Sequence, residues 1–241
     1  MHKKLFLILF ILILSGCASK NFDMAKMTAE LPGPAVYRDP RTIEEIEALK
    51  PQLKFPIKLA VTQPFQEGRW GAETNWSPEE LNIIESWGGA LKETGFASEI
   101  VILPTPFSTD CSFKNYYQCV QEQYQKLAAR FQADALLVIS TINEVNAYPN
   151  AFAVLDLTII GCYIVPAHHV NSHTILEGAL IDNRNEYLYA FQRSHSEVRH
   201  VSPLAYSNED KAAKQSREAA LRTFGDKMIA EVKKYSDGKP Q

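Results

Sequence analysis

Several signals of function are missing from this chain. The N-terminal apolar run, residues 5–14, is ten residues long, half of the roughly 20 that a membrane-spanning helix needs. There is no G-x-S-x-G nucleophile elbow and no glycine-rich phosphate loop; Gly88-Gly89 falls inside an apolar helical stripe, where it reads as a device for close packing. No basic tract occurs, and the formal net charge of −3 becomes −5 if Lys3 and Lys4 leave with an N-terminal signal. Nucleic-acid binding and electrostatic docking on anionic lipid are therefore disfavoured. There are four cysteines, without the paired spacings of a zinc site. No internal repeat is visible, which excludes a solenoid.

What is present begins with an address. Lys3-Lys4, the apolar run and then Leu14-Ser15-Gly16-Cys17 have the layout of a secretory signal. The closing Cys makes the end of it a lipobox, with Cys17 expected to carry the lipid and cleavage expected after Gly16. Residues 1–16 are thus read as a lipoprotein signal peptide. Ala18-Ser19, with no Asp beside the Cys, favours the outer membrane, with the domain facing the periplasm. Several acyl chains anchor where one binds only marginally.

In that oxidising compartment disulfides persist, and Cys111 and Cys119 lie close in sequence. They are read either as a bridge or as two separate thiols. Cys162, in the apolar run 159–164, reads as a small buried hydrophobe of a strand.

Residues 17–55 are expected to be the lipidated Cys and a linker, broken at Leu31-Pro32-Gly33-Pro34 and Asp39-Pro40. One short helix starts at Thr42, with Glu45 completing a capping box. As flexible coil, residues 18–55 would span roughly 35 Å. A single globular domain is expected over 56–236, with a polar tail at 237–241. Residues 57–62 read as a strand. Ser77-Pro78-Glu79-Glu80 starts a helix with the stripe Leu81, Ile84, Trp87, Gly88, Leu91, closed by Gly95. A strand over 98–103 follows. The next helix, capped by Asn115, has the stripe Tyr116, Val120, Tyr124, Leu127, Phe131, and a strand over 135–142 comes after it. Residues 151–165 read as a long extended run. A polar loop then carries His168, His169 and His173. Strands over 174–181 and 186–192 flank the turn Asp182-Asn183-Arg184-Asn185. Ser207 is expected to cap a long C-terminal helix with the stripe Leu221, Phe224, Met228, Val232, Tyr235. The class is α/β (α+β): a β-α-β-α-β start, an antiparallel meander and a long C-terminal helix.

The block 158–166 (Thr-Ile-Ile-Gly-Cys-Tyr-Ile-Val-Pro), then His173-Thr174-Ile175-Leu176 and 179–182, resembles the rhombotarget lipoprotein family. Residues 56–61 and 112–137 fall in the matching order. The resemblance implies an outer-membrane-linked lipoprotein without assigned activity, from a family associated with rhomboid-type sorting proteases. Cys111 and Cys119 stand outside its pattern. The element order also resembles the periplasmic fold of TolB N-terminal domains and curli-secretion lipoproteins, a likeness of fold alone.

Five of the six histidines fall between residues 168 and 200. Imidazoles hold zinc or copper when several converge, and His169 and His173 are the candidates. As a structural residue, His173 would fix the loop before its strand. Ser194-His195-Ser196 reads as a solvated strand end, and Asp156 as a residue on a partly exposed strand face. The stretch 65–76, with Arg69, Trp70 and Trp76, suits either a lid on the domain edge or a partner contact. Together these readings favour a non-enzymatic binding or assembly accessory of the cell envelope. It would need no cofactor or nucleic acid, and its partners would be the membrane, through the lipid, and an envelope protein. Two alternatives stand beside it: a metal-binding or hydrolytic protein using the 168–200 histidines, and a secretion-pore subunit. The pore reading requires two spanning hairpins, whereas the chain offers one meander with apolar faces.

Overall fold

The structure, a computed structural model, describes residues 22–30, 41–63, 76–104 and 116–236. The elements are α1 (Met24–Glu30), α2 (Ile43–Glu47), β1 (Ile57–Thr62), α3 (Pro78–Glu93), β2 (Ala97–Ile102), α4 (Tyr116–Arg130), β3 (Ala135–Pro149), a 3-10 segment (Ala151–Leu157), α5 (Ile159–Ile164), β4 (His168–Asp182), β5 (Leu188–Ser202), a 3-10 turn (Leu204–Tyr206) and α6 (Glu209–Ser236). The strands form one five-stranded sheet in the order β2-β1-β3-β4-β5. This is the expected α/β class, with its long C-terminal helix.

The first half is parallel. Leu59 pairs with Ile100 of β2 on one side and with Ala135 of β3 on the other. Both connections are helical, as parallel neighbours require. The second half is an antiparallel meander. Asn183 N–H donates to the Asp134 carbonyl, Asn143 meets Ser172 and Thr174, and Asn150 N–H donates to the Ala167 carbonyl. Positions thus fall along β4 as they rise along β3. β4 and β5 are joined by a tight turn, closed by a bond from Asp182 N–H to the Tyr187 carbonyl.

The chain divides into two compact units. The larger comprises residues 30–142, 175–194 and 220–241, and the smaller comprises 1–29, 143–174 and 195–219. The division does not follow the expected boundary at residue 56.

In the larger unit β1 is buried on both faces except at Lys58, which pairs with Glu99 at 3.0 Å, and its other residues are mostly apolar, as a central parallel strand requires. Ile57, Leu59 and Val61, with Leu137, Ile139, Leu176 and Leu180, pack under Trp87 and Leu91 of α3 and Leu221, Phe224 and Met228 of α6. The alternate residues Ala60, Leu136 and Ile181 pack under Val120, Tyr124 and Ala128 of α4. The capping boxes at Thr42 and Ser77 form as read, each with reciprocal bonds to the Glu three residues on, and Gly95 ends α3 with φ +70°.

Close packing does not come from Gly88, where a Cβ would meet Ile100 only at 3.9 Å. It comes from Gly178 and Gly225. A Cβ there would stand 2.3 Å from the Phe224 ring and 2.1 Å from Trp87 Nε1, respectively. On α3, Ile83 is buried where Leu81 was expected. Phe131 of the expected α4 stripe is exposed beyond the helix end. Tyr116 and Tyr235 fall where side chains are outside the description.

Four further expectations are corrected. Part of the supposed linker is α1, whose Met27 is buried. β3, β4 and β5 each run 15 residues, well past the expected 135–142, 174–181 and 186–192. Their added lengths are polar, and several of the polar groups there are paired: Asn143 donates to Ser172 and Thr174, and the Thr174 and Ser216 hydroxyls bond at 2.7 Å. His168, His169 and His173 therefore lie on a strand, and Ser194-His195-Ser196 in the middle of one. Asn208, not Ser207, caps α6, its Oδ1 accepting from Lys211 N–H at 2.7 Å.

The run over 151–165 is not extended. Asn150 Oδ1 accepts from Phe152 N–H, the Thr158 hydroxyl oxygen accepts from Gly161 N–H, and these side chains start two short helical segments. Cys162 is accordingly half-buried on α5, not a residue of a strand core.

Candidate functional site

Of the residues singled out by sequence, Cys17, Arg69, Trp70 and Cys111 lie outside the described residues. Cys119 is disulfide-bonded and Cys162 is a free thiol. The partner of Cys119 lies outside the described residues. Trp76 is half-buried against the core of the larger unit.

The histidines are distributed along the strands of the smaller unit and each meets a different neighbour. His168 Nε2 bonds Asp156 Oδ2 at 2.7 Å, and both side chains are largely buried. Asp156 is thus paired, in place of its expected position on a partly exposed strand face. His169 stacks on Tyr148, with centroids 5.1 Å apart and planes within 14°. His200 Nε2 meets Gln215 Oε1 at 2.6 Å. Among the described residues, no three His, Cys, Asp or Glu side chains converge as a metal site would require.

His173 is the most confined of them. It is buried under Phe22, with centroids 5.0 Å apart, and lies parallel to His195 at 6.4 Å. Among the described residues, neither ring nitrogen has a hydrogen-bond partner. Burial pushes its pKa below the ordinary value of 6.5, opposed by the charge of Glu197 and assisted by His195 and Arg199, with Glu144 acting in the same direction as Glu197. The hydrogen bond from Arg199 holds the Glu197 carboxyl below its usual range. The expected structural role of His173 was to fix a loop. Its position is instead mid-strand, beneath the N-terminal segment that carries Phe22.

The second feature is an apolar tip formed by the 3-10 segment and α5, with the 3-10 turn at 204–206 beside α5. Leu157 is 89% exposed, Ile159 83%, Ile160 72% and Ile164 69%, and Phe152 is also exposed. Tyr163 meets Tyr206 edge to face at 6.2 Å. The tip is tightly folded, because a Cβ on Gly161 would stand 1.9 Å from the Leu155 carbonyl oxygen. The hydropathy of 151–165 conceals this feature by reading as a buried strand. The local signals that mark it are Asn150 and Thr158, each a helix-capping residue type at the start of a segment.

The Ser194 hydroxyl and the Cys162 thiol have their hydrogens engaged by backbone carbonyls. Ser194 Oγ donates to the Ala220 carbonyl at 2.8 Å and Cys162 Sγ to the Ile159 carbonyl at 3.1 Å.

No family model and no curated protein matches this chain. Solved structures with a similar course include a minor lipoprotein from Acinetobacter baumannii, at 8% identity and a TM-score of 0.37, covering 74% of this chain and 91% of that one. Lipoprotein GNA1162 from Neisseria meningitidis is 15% identical with a TM-score of 0.34, covering 71% and 99%. Protein XCC0632 from Xanthomonas campestris, of family-model DUF330, is 10% identical with a TM-score of 0.34, covering 79% and 91%.

Proposed function

We propose that this chain is a bacterial envelope lipoprotein. It is held in the outer membrane through acylated Cys17, its domain faces the periplasm, and it acts as a non-enzymatic binding or assembly accessory of an envelope protein. The observation that carries this reading is Lys3-Lys4, the ten-residue apolar run and the lipobox ending at Cys17. The resemblance to the rhombotarget lipoproteins supports it. The most specific block of that resemblance, 158–182, is the stretch that forms α5 and β4.

The structure alters the tether. Phe22 packs on His173 and Met27 is buried. Phe22, the first described residue of the smaller unit, stands five residues after Cys17, and five residues reach at most about 17 Å. This replaces the roughly 35 Å standoff expected of an open linker. A binding role also suits the engaged Ser194 and Cys162 hydrogens, since nucleophilic catalysis needs such a group beside a base.

Cross-linking in intact cells followed by purification of the outer-membrane fraction tests the role. A single envelope protein recovered in stoichiometric yield supports it. Turnover of a cell-wall or peptide substrate by the purified protein, with no such partner, overturns it.

A further inference from the structure

We infer that the apolar tip of the smaller unit is a second membrane contact, dipping into the leaflet that holds the acyl chains of Cys17. The inference rests on the lipoprotein reading above and adds a lipid-binding surface to it.

Three observations select a lipid as the occupant. The first is charge. Between residues 151 and 167 the only Asp, Glu, Lys, Arg or His is Asp156, and its carboxylate is turned inward onto His168. Leu157, Ile159, Ile160 and Ile164 thus present an uncharged surface. A monomeric soluble protein rarely leaves such residues together in water.

The second is reach. Phe22 marks where the N-terminal chain meets β4, at His173. From His173 to His168, at the base of the tip, β4 runs five residues, about 17 Å at the rise of a strand. From Phe22 back to Cys17 is also five residues, a reach of at most about 17 Å. An extended tether can therefore carry Cys17 as far as the base of the tip, from which its acyl chains extend onward into the leaflet.

The third is backbone chemistry. Cys162 N–H donates to the Thr158 carbonyl and Val165 N–H to the Gly161 carbonyl, so part of the tip backbone is satisfied internally. α5 has only six residues, and its open ends need polar company. That limits the tip to the interface, about 5–10 Å deep, where the Tyr163–Tyr206 pair fits the usual place of aromatic residues. No described helix is long and apolar enough to cross a membrane. With acyl chains and tip both engaged, the smaller unit would be held in one orientation, not merely tethered.

The test uses the full acylated protein carrying Ile159→Trp, or separately Leu157→Trp, in phosphatidylethanolamine–phosphatidylglycerol vesicles with brominated acyl chains. Phe131→Trp, an exposed position of the larger unit, is the control, and emission of the parent protein is subtracted. At interfacial depth the tryptophan introduced in the tip should shift to the blue and be quenched by the bromines, while the control does neither. Quenching no greater than the control at both tip positions overturns the inference. A blue shift without quenching, with dimers captured by cross-linking, also overturns it, because a second copy then covers the tip. The mass of the N-terminal peptide from the same preparation reports acylation separately. An unmodified Cys17 refutes the lipoprotein reading whatever the quenching shows, and an acylated protein with an unquenched tip refutes this inference alone.

Discussion

Two glycine-to-alanine substitutions in helices of the larger unit should act with opposite signs. In a helix interior, alanine is favoured over glycine by about 1 kcal/mol. Gly89 on α3 is exposed, and a Cβ there meets nothing within 4 Å, so Gly89→Ala should keep the full gain. Gly225 on α6 is different. Its Cβ would stand 2.1 Å from Trp87 Nε1, 2.5 Å from Cε2 and 2.9 Å from Cδ1. The indole is 5% exposed and packs on Phe224 at 6.0 Å, so it is a rigid plate with nowhere to retreat. Overpacking of this kind costs about 1–3 kcal/mol. Subtracting the helix gain leaves Gly225→Ala destabilising by about 1 kcal/mol. For a chain of this length each kcal/mol moves Tm by about 2–4 °C. Thermal unfolding followed by circular dichroism should therefore separate the two variants by roughly 4–8 °C, with the parent between them. If Gly225→Ala were as stabilising as Gly89→Ala, the close approach of α6 to Trp87 would be wrong, and with it this account of how α6 seats on the sheet.

Other outcomes follow from single contacts. Because burial lowers the pKa of His173, the unfolded chain takes up a proton near pH 6.5 that the folded chain resists, so this residue costs stability as pH falls below that value. Tm should drop between about pH 7.5 and about pH 5.5, and His173→Phe should reduce that drop; an unchanged pH profile would refute the role. Glu177 is almost fully buried and its carboxylate is paired with the half-exposed Arg193. Arg193→Met should cost about 1–3 kcal/mol by leaving that carboxylate without its charged partner, and Arg199→Met, at the exposed Glu197 pair, should cost less when the two are compared by urea unfolding. Leu157→Ser with Ile160→Ser should leave Tm within about 2 °C of the parent, since both side chains are exposed and pack little.

The parts of the fold legible in sequence are those where local chemistry and burial agree. Thr42 and Ser77 each cap with a Glu three residues on, and residues 57–62 read as a strand whose alternate positions Ile57, Leu59 and Val61 are apolar and buried. The meander was only half legible. Ser172, Thr174 and Ser216 are buried hydroxyls that bond one another or the half-buried Asn143, and hydropathy cannot distinguish a satisfied buried hydroxyl from an exposed one. The tip failed for the opposite reason. Its β-branched and aromatic residues imitate a buried strand, while the capping by Asn150 and Thr158 sets the local backbone and leaves the apolar side chains exposed. Helix α1 was hidden among breaker residues, and only the packing of Phe22 and Met27 reveals it. The histidines are close in sequence but do not converge among the described residues. β4 spaces His169 and His173 apart, and their neighbours Tyr148 and Phe22 give each a packing role that the sequence order does not contain.

The most direct test of the central claim is the fate of Cys17. With labelled palmitate supplied to growing cells, the parent protein should carry label and fractionate with the outer membrane. Cys17→Ser should carry none and leave that fraction while keeping the parent's circular dichroism spectrum. A Cys17→Ser protein that still carried palmitate, or that stayed in the outer-membrane fraction as fully as the parent, would contradict the claim that this cysteine is the anchor.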